Sequence, residues 1–489
     1  MRRFLLAGLA AAMLAGCAVQ RPATDADLQS RVQHIVVIYG ENRSFDNLYG
    51  TFPGADGIAG AQATMTQVDR DGSVLPVLPP TWGGINDKVP EAATRNLPNR
   101  AFRIDDPAGF AQEENVKTRD LVHKFYQEQM QIHGGRMDGF AAWTDAGGLT
   151  MGYYDASNMP MHRIARQYTL ADNFFMGAFG GSFLNHIWLV CACTPVYPDA
   201  ANSVAKGRIS AVEADGVTLQ VGPDSPKSAL QGPPKFVNDN TLTPDGYAVN
   251  TMQPPYQPSG NTPAAGGDAR LADPANSTTL PPQTLKTIGD TLSAKGVSWA
   301  WYSGAWNQAL ADRAVIYRNP VQFQAHHQPF NYFRRFAPGT PDRAEHLKDY
   351  ADLTAAIDAG ALPAVAFYKP QGNFNQHPGY ADVASGDEHI AELVKRIQAS
   401  PAWSSTVIIV TYDENGGFWD HVPPPRGDRW GPGQRIPTIV ISPFAKKGYV
   451  DHTAYDTTSI LQLITRRFGL EPLPGVRRNM GDLTNALAF

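Results

Sequence analysis

Ser182 stands at the end of a glycine-rich run, Gly177-Ala178-Phe179-Gly180-Gly181, and opens a segment of helical pattern, Phe183-Leu184-Asn185-His186. The glycines permit a tight turn, and a helix that follows offers unpaired backbone N–H groups and the positive end of its dipole. An anion would settle there beside the Ser182 hydroxyl, and a nearby cation would help that hydroxyl act as a nucleophile. Two distant stretches supply what a cation needs. Glu41-Asn42 closes the apolar run over 34–40, and Asp413-Glu414-Asn415 closes the run over 405–412. Together they offer three carboxylates and two amides, an oxygen-donor set suited to one hard divalent ion such as Ca, Mg, Mn or Fe. Taken singly, Ser182 reads as a helix cap and each acidic pair as a polar turn after a core strand. The combination reads as a metal-assisted site.

Histidines add to it. His123 precedes Gly134-Gly135-Arg136-Met137-Asp138, His326-His327 precede Gln328-Pro329, and His377 precedes Pro378-Gly379. Each alone suits a loop histidine bonded to backbone. Several on one face suit phosphoester cleavage, which needs groups that neutralise phosphoryl oxygens and protonate a departing oxygen. His421, ahead of the proline run 423–425, reads as a structural clamp.

These residues need elements to hold them. The runs over 34–40 and 405–412 are β-branched and continuous, as in strands buried on both faces of a parallel sheet. Ligands gather at the carboxyl ends of such strands. Further strands are predicted over 168–170, 297–302, 362–368 and 436–441. Helices are predicted over 120–132 (carrying His123), 158–167, 285–295, 343–358, 387–398 and 455–468. This alternation predicts an α/β fold, a mostly parallel central sheet sandwiched between helices, in a single domain over 33–489. Two stretches, 51–112 and a Pro/Gly/Ser-rich insertion at about 200–284, predict irregular excursions over the active face.

The 489 residues carry a net charge of −5, which argues against a polyanion-binding surface and so against nucleic acid. Arg2-Arg3, an apolar stretch from Phe4 to Met13, and Leu14-Ala15-Gly16-Cys17 form an export signal. The last four resemble a bacterial lipobox. The expectation is a signal peptide over 1–16, a lipid on Cys17, a polar tether over 17–32, and a place on the periplasmic side of the envelope. Ala18, rather than Asp, leans towards the outer membrane. Arg2-Arg3 also admits twin-arginine export. No internal apolar run reaches the length of a membrane span, so the lipid is the expected membrane contact. Cys191 and Cys193, one residue apart, are expected as an unbonded buried pair, because a disulfide there closes a small ring.

Five blocks follow in order: Glu41-Asn42-Arg43-Ser44-Phe45-Asp46, Gly135-Arg136-Met137-Asp138-Gly139-Phe140, His377-Pro378-Gly379, Asp413-Glu414-Asn415-Gly416-Gly417 and Ile441-Ser442-Pro443. In this the sequence resembles, over about residues 33–485, the bacterial phosphoesterase family of phospholipases C and respiratory-burst-inhibiting acid phosphatases. That family lies within the alkaline phosphatase superfamily. The resemblance implies one metal ion held by Glu41, Asn42, Asp413 and Glu414, with Ser182 as the nucleophile forming a phosphoserine. It places His123, His327 and His377 around the phosphate with Asn42, and either His377 or His327 as the general acid. His327 is preferred to His326 because it fits the family's His-x-Pro pattern.

One position departs. Phospholipase-type members carry Pro where Leu184 stands, and Ser182-Phe-Leu-Asn-His with Cys191-Ala-Cys193 resembles the acid phosphatase branch instead. The sequence also ends soon after the closing helix. The expectation is therefore a metal-dependent acid phosphatase of broad specificity, acting on small phosphomonoesters with an acidic optimum set by a protonated histidine. Phospholipase C action on phospholipid head groups is the alternative, and a lipoprotein that only binds metal or phosphate is a third reading. The x-Pro-x-Arg pattern of a sulfatase does not follow Ser182.

Overall fold

The two apolar runs that end on acidic side chains are strands, and they are neighbours. A computed structural model describes residues 24–489, so the expected signal peptide and Cys17 lie outside the described residues. In chain order the main strands are β1 (His34–Gly40), β2 (Thr169–Ala171), β3 (Trp299–Ser303), β4 (Leu347–Asp349), β5 (Val365–Lys369), β6 (Thr406–Tyr412), β7 (Thr438–Ile441) and β8 (Tyr449–Asp451). Among the described residues they form one eight-stranded sheet in the order β8-β2-β7-β6-β1-β5-β3-β4. β7 runs antiparallel to both of its neighbours and every other pairing is parallel. The expected mostly parallel α/β sheet is therefore present.

Every residue of β3, β5 and β6 is buried. Consecutive side chains on a strand point to opposite faces, so both faces are covered. The covering helices used below are α1 (Asp25–Arg31), α2 (Phe125–Ile132), α3 (Ser182–Cys191), α4 (Ile288–Ala294), α5 (Pro341–His346), α6 (Tyr350–Asp358), α7 (Val383–Gln398) and α8 (Thr457–Phe468). α3 packs against α8 and α4, while α7 packs against a short helix over Pro160–Ala165.

Three local expectations are revised. The helix predicted over 120–132 starts only at Phe125, so His123 lies on an extended lead-in. The backbone there is held by tertiary partners: the Val122 N–H donates to Asp145 Oδ1 at 2.8 Å, and the Phe125 N–H donates to Asn250 Oδ1 at 3.0 Å. The helix predicted over 343–358 is two helices, α5 and α6, separated by β4. Residues 347–349 pair with β3, and Asp349 then caps α6 by accepting from the Ala351 N–H. Part of the stretch expected as a tether is α1, which a Thr24–Asp27 capping box starts and the fully buried Leu28 anchors.

Cys191 and Cys193 form a disulfide, contrary to the expected unbonded pair. Ala192 turns left-handed at the end of α3 (φ 47°, ψ 45°), which brings the two Cα atoms to 5.1 Å, within bonding reach.

The stretches over 51–112 and 200–284 carry short 3₁₀ turns and isolated bridges, with one two-residue strand, Phe102–Arg103. The second stretch is tied down by polar contacts. Tyr332 donates to the Met252 carbonyl at 2.7 Å, and Asn331 Nδ2 donates to the Tyr256 carbonyl at 2.8 Å.

Candidate active site

β1 and β6 pair in register from His34↔Thr406 to Gly40↔Tyr412, so Glu41-Asn42 and Asp413-Glu414 leave the sheet at the same edge. Adjacent residues on a straight strand would diverge. Here Asn42 takes a left-handed φ of 63°, and its N–H donates to Asp413 Oδ1 at 3.0 Å. The Arg43 N–H donates to the Glu414 carbonyl at 2.9 Å. Gly416 closes the approach, since a Cβ there would lie 2.3 Å from the Asn42 carbonyl oxygen, and its own φ is +64°. All four expected metal ligands are fully buried together.

Ser182 is the first residue of α3. Its cap, Gly181, supplies no side-chain hydrogen bond, so the first-turn N–H groups have no cap acceptor. Ser182 Oγ lies 3.1 Å from Asn42 Oδ1 and 3.4 Å from Glu414 Oε1. The nucleophile expected from the glycine turn therefore reaches both halves of the acidic cradle.

His123 Nε2 is 3.4 Å from Asn42 Nδ2 and 3.8 Å from Glu414 Oε1. The His377 ring centre is 5.5 Å from that of His123. Asp120 Oδ1 stands 3.8 Å from Nδ1 of His123 and 3.9 Å from Nδ1 of His377. Both rings also give Nδ1 to backbone carbonyls, of Leu121 and Pro378 respectively, which leaves each Nε2 for the cavity.

The neighbouring histidines take different places beside Glu41. His326 lines the cavity, and neither of its ring nitrogens has a hydrogen-bond partner among the described residues. His327 is not among the lining residues. Its Nε2 lies 3.1 Å from Glu41 Oε1, and its carbonyl accepts from Trp301 Nε1 and Ser303 Oγ. The 3₁₀ turn over Ala325–His327 sends consecutive side chains in different directions, which spacing to a proline cannot reveal.

Three participants escaped the sequence reading. Lys369, fully buried at the end of β5, places Nζ 3.2 Å from Glu41 Oε2 and 3.7 Å from Asp413 Oδ2. Its signal was present: the strand predicted over 362–368 ends on Lys369-Pro370, a third apolar run stopping on a charge. His186 donates Nδ1–H to the Ser182 carbonyl at 2.7 Å and stacks on His327. Asn375 donates to Glu41, and no local pattern marks it.

Burial acts to raise the pKa of Glu41, but His327 and Lys369 together hold it well below the usual carboxylate range. Burial lowers His327 to about 3, so its neutral imidazole acts on Glu41 through a hydrogen bond and Lys369 supplies the positive charge. Burial raises Asp413 against the pull of Lys369, and it raises Glu414 well above its ordinary value with Asp413 adding to the effect. His123 is pushed the other way. Burial would lower it, yet Glu414 and Asp120 raise it to about 9, so it stays protonated.

Three buried carboxylates against Lys369 and the protonated His123 still leave the cradle short of positive charge, and Asp413 Oδ2 has no hydrogen-bond partner among the described residues. The residues present therefore fit a divalent ion with oxygen ligands. Asp46, Asp420 and His421 form a second acidic group. There Arg435 Nε lies 2.8 Å from Asp420, and His421 bridges Asp46 and Asp56. That group is a buried ion-pair network, and His421 is structural through it rather than through the proline run.

Above Ser182 lies a cavity of about 710 Å³. Its walls include His123, His326, His377 and Tyr317, and residues of the irregular insertion, Phe236 and Asp239 among them.

A buried serine at a helix start, an oxygen-donor cradle and nearby histidines offer groups that phosphoric ester hydrolysis needs. The chain belongs to the Phosphoesterase family, whose profile matches residues 32–471. It is similar to phospholipase C A of Mycobacterium tuberculosis, with 25% identity over 94% of this chain and 77% of that protein. It is equally similar, at 25% identity, to the non-hemolytic phospholipase C of Pseudomonas aeruginosa over 94% of this chain and 57% of that one. Among solved structures, a protein of the alkaline phosphatase superfamily from Vibrio parahaemolyticus aligns over 70% of this chain at 11% identity and a TM-score of 0.32. That likeness is too distant to carry a conclusion of its own.

Proposed function

We propose that this enzyme is a phospholipase C that cleaves phospholipid-type phosphodiesters through a phosphoserine at Ser182. The observation that carries the reading is the cavity-lining Ser182 at the start of α3, with Oγ within 3.4 Å of both Asn42 and Glu414. The expectation of a phosphomonoesterase gives way here, because the curated relatives that align with nearly the whole of this chain are phospholipases C. A monoesterase remains the second reading on one observation, Leu184 in place of the Pro of phospholipase-type members.

Glu41, Asn42, Asp413 and Glu414 would hold the divalent ion. When bound, it supplies positive charge that favours the Ser182 alkoxide and a phosphoryl oxygen. The chain's own groups carry the steps. Protonated His123 donates to a phosphoryl oxygen, and the N–H groups of the first turn of α3 meet the remaining charge. The Ser182 hydroxyl passes its proton to Glu414, whose Oε1 lies 3.4 Å away. Its Oγ attacks phosphorus, the bond to the diacylglycerol oxygen breaks, and a cavity histidine protonates that oxygen. His377 suits this role better than His327, which lies behind Glu41. Water then attacks the phosphoserine, releasing the phosphorylated head group and regenerating the serine.

Ser182→Ala tests the reading. Hydrolysis of p-nitrophenyl phosphorylcholine should fall at least a thousandfold with the melting temperature unchanged, and near-normal turnover would sink the assignment. Phosphatidylcholine vesicles beside p-nitrophenyl phosphate decide between diester and monoester. We further propose export and lipid anchoring through Cys17, to the outer membrane. Cys17→Ser should move the protein from the membrane to the soluble fraction of the envelope.

A further inference from the structure

One buried acid takes no part in this chemistry. Glu128, on the first turn of α2, is 1% exposed, and it forms no ion pair with a lysine, arginine or histidine among the described residues. Burying a carboxylate without a cation is costly unless hydrogen bonds compensate. Here both oxygens are used. One accepts the Gly180 N–H, and the other accepts the Gln434 N–H at 3.2 Å.

Gly180 lies two residues before Ser182, at φ +91°. The turn it belongs to is stitched to the segment over 430–434 by backbone bonds: Phe179 N–H to the Trp430 carbonyl at 2.7 Å, and Met176 N–H to the Gln434 carbonyl at 2.9 Å. The Gly180 and Gln434 amides would be left without acceptors where the two segments separate, and Glu128 fills that gap from a third element. The fit is close on every side. A Cβ at Gly180 would lie 2.6 Å from the Phe125 nitrogen, one at Gly181 would lie 2.8 Å from the His123 carbonyl, and one at Gly433 would lie 2.8 Å from Glu128 itself.

We infer that Glu128 is a positioning residue for Ser182: its carboxylate clamps the glycine turn to residues 430–434 and to the His123-bearing lead-in of α2, which fixes the nucleophile and the first turn of α3 before substrate arrives. Burial raises the Glu128 pKa to about 8 although both amides favour the anion, so the two-acceptor carboxylate is the form present above that pH, where the assays are run. The geometry asks for two acceptors. Glutamine keeps one carbonyl and turns an NH₂ towards the other amide, so it restores half of the clamp. Alanine restores none.

This inference rests on Ser182 as the nucleophile, and the test separates the two. Ser182→Ala, Glu128→Gln and Glu128→Ala enzymes, each loaded with the divalent ion, are assayed on p-nitrophenyl phosphorylcholine. Metal content and melting temperature are measured alongside. A nucleophile displaced by about an ångström loses on the order of a hundredfold in rate. Glu128→Ala should therefore lower kcat about a hundredfold and Glu128→Gln about tenfold, with KM within threefold of wild type and metal content unchanged. A Glu128→Ala enzyme with kcat within threefold of wild type, beside an inactive Ser182→Ala enzyme, overturns the clamp and leaves the nucleophile standing. A loss of kcat that only follows lost metal content also overturns it. If Ser182→Ala turns over normally, the nucleophile reading falls and the clamp falls with it.

Discussion

Replacing Lys369 by methionine removes the only ammonium among the described residues of the acidic cradle and keeps the volume of the side chain. The Lys369 Nζ lies 3.2 Å from Glu41 and 3.7 Å from Asp413. At an effective dielectric of roughly 20, those separations correspond to about 5 and about 4 kcal/mol of attraction. Desolvation of the buried ammonium offsets much of this, and deleting one partner of a buried pair typically costs about 3–5 kcal/mol net. For a chain of this size, with about 2.1 cal/mol/K of unfolding entropy per residue, the metal-free protein should lose roughly 3–5 °C of melting temperature. A divalent ion reverses the sign of the argument. Lys369 repels a cation held by the same carboxylates, so its removal should tighten metal binding, and saturating metal should narrow the gap between variant and wild type. Differential scanning fluorimetry in EDTA and across a divalent-ion titration reads both effects. A metal-free loss below 1 °C, or a gap that metal leaves unchanged, would refute the electrostatic account of the cradle.

Three further outcomes follow from named contacts. His377→Ala should slow cleavage of phosphatidylcholine, whose leaving alcohol needs a proton, by about 10²–10⁴-fold. It should slow p-nitrophenyl phosphorylcholine far less, and equal losses on both would remove His377 as the acid. Asp387 accepts the Met161 N–H at 2.9 Å, and burial lifts its pKa to about 7. The folded chain therefore keeps a proton that the unfolded chain loses near pH 4, and stability falls as pH rises from 4 to 7, by on the order of 4 kcal/mol. Asp387→Asn should flatten that fall, so denaturant midpoints at pH 5 and pH 8 that shift equally in both proteins would contradict it. Gly416→Ala should abolish metal binding, measured by isothermal titration, because the new methyl overlaps the Asn42 carbonyl; full metal affinity would show that the cradle tolerates a spread of the strand ends.

What could be read from the sequence was local. A continuous β-branched run that stops on charge marks a strand end, and a glycine turn followed by helical pattern marks an anion site, because both depend on neighbours within a few residues. On that basis Glu41, Asn42, Ser182, Asp413 and Glu414 were identifiable, and the structure brings them together. The alternation of strands and helices was legible for the same reason, since period and composition are properties of short windows.

Tertiary structure decided which side chains share a point in space. The register of β1 on β6 joins Asn42 to Asp413, 371 residues apart, and no window contains both. It also set Lys369 among the carboxylates and sent His326 rather than His327 into the cavity. The lead-in before Phe125 shows the principle on a small scale. Residues 120–124 carry helical pattern, but Asp145 and Asn250 take the Val122 and Phe125 amides first, so His123 meets Asn42 and Glu414 from an extended segment. Local preference amounts to a few tenths of a kcal/mol per residue, whereas one buried hydrogen bond contributes about 1 kcal/mol, and the distant partner wins.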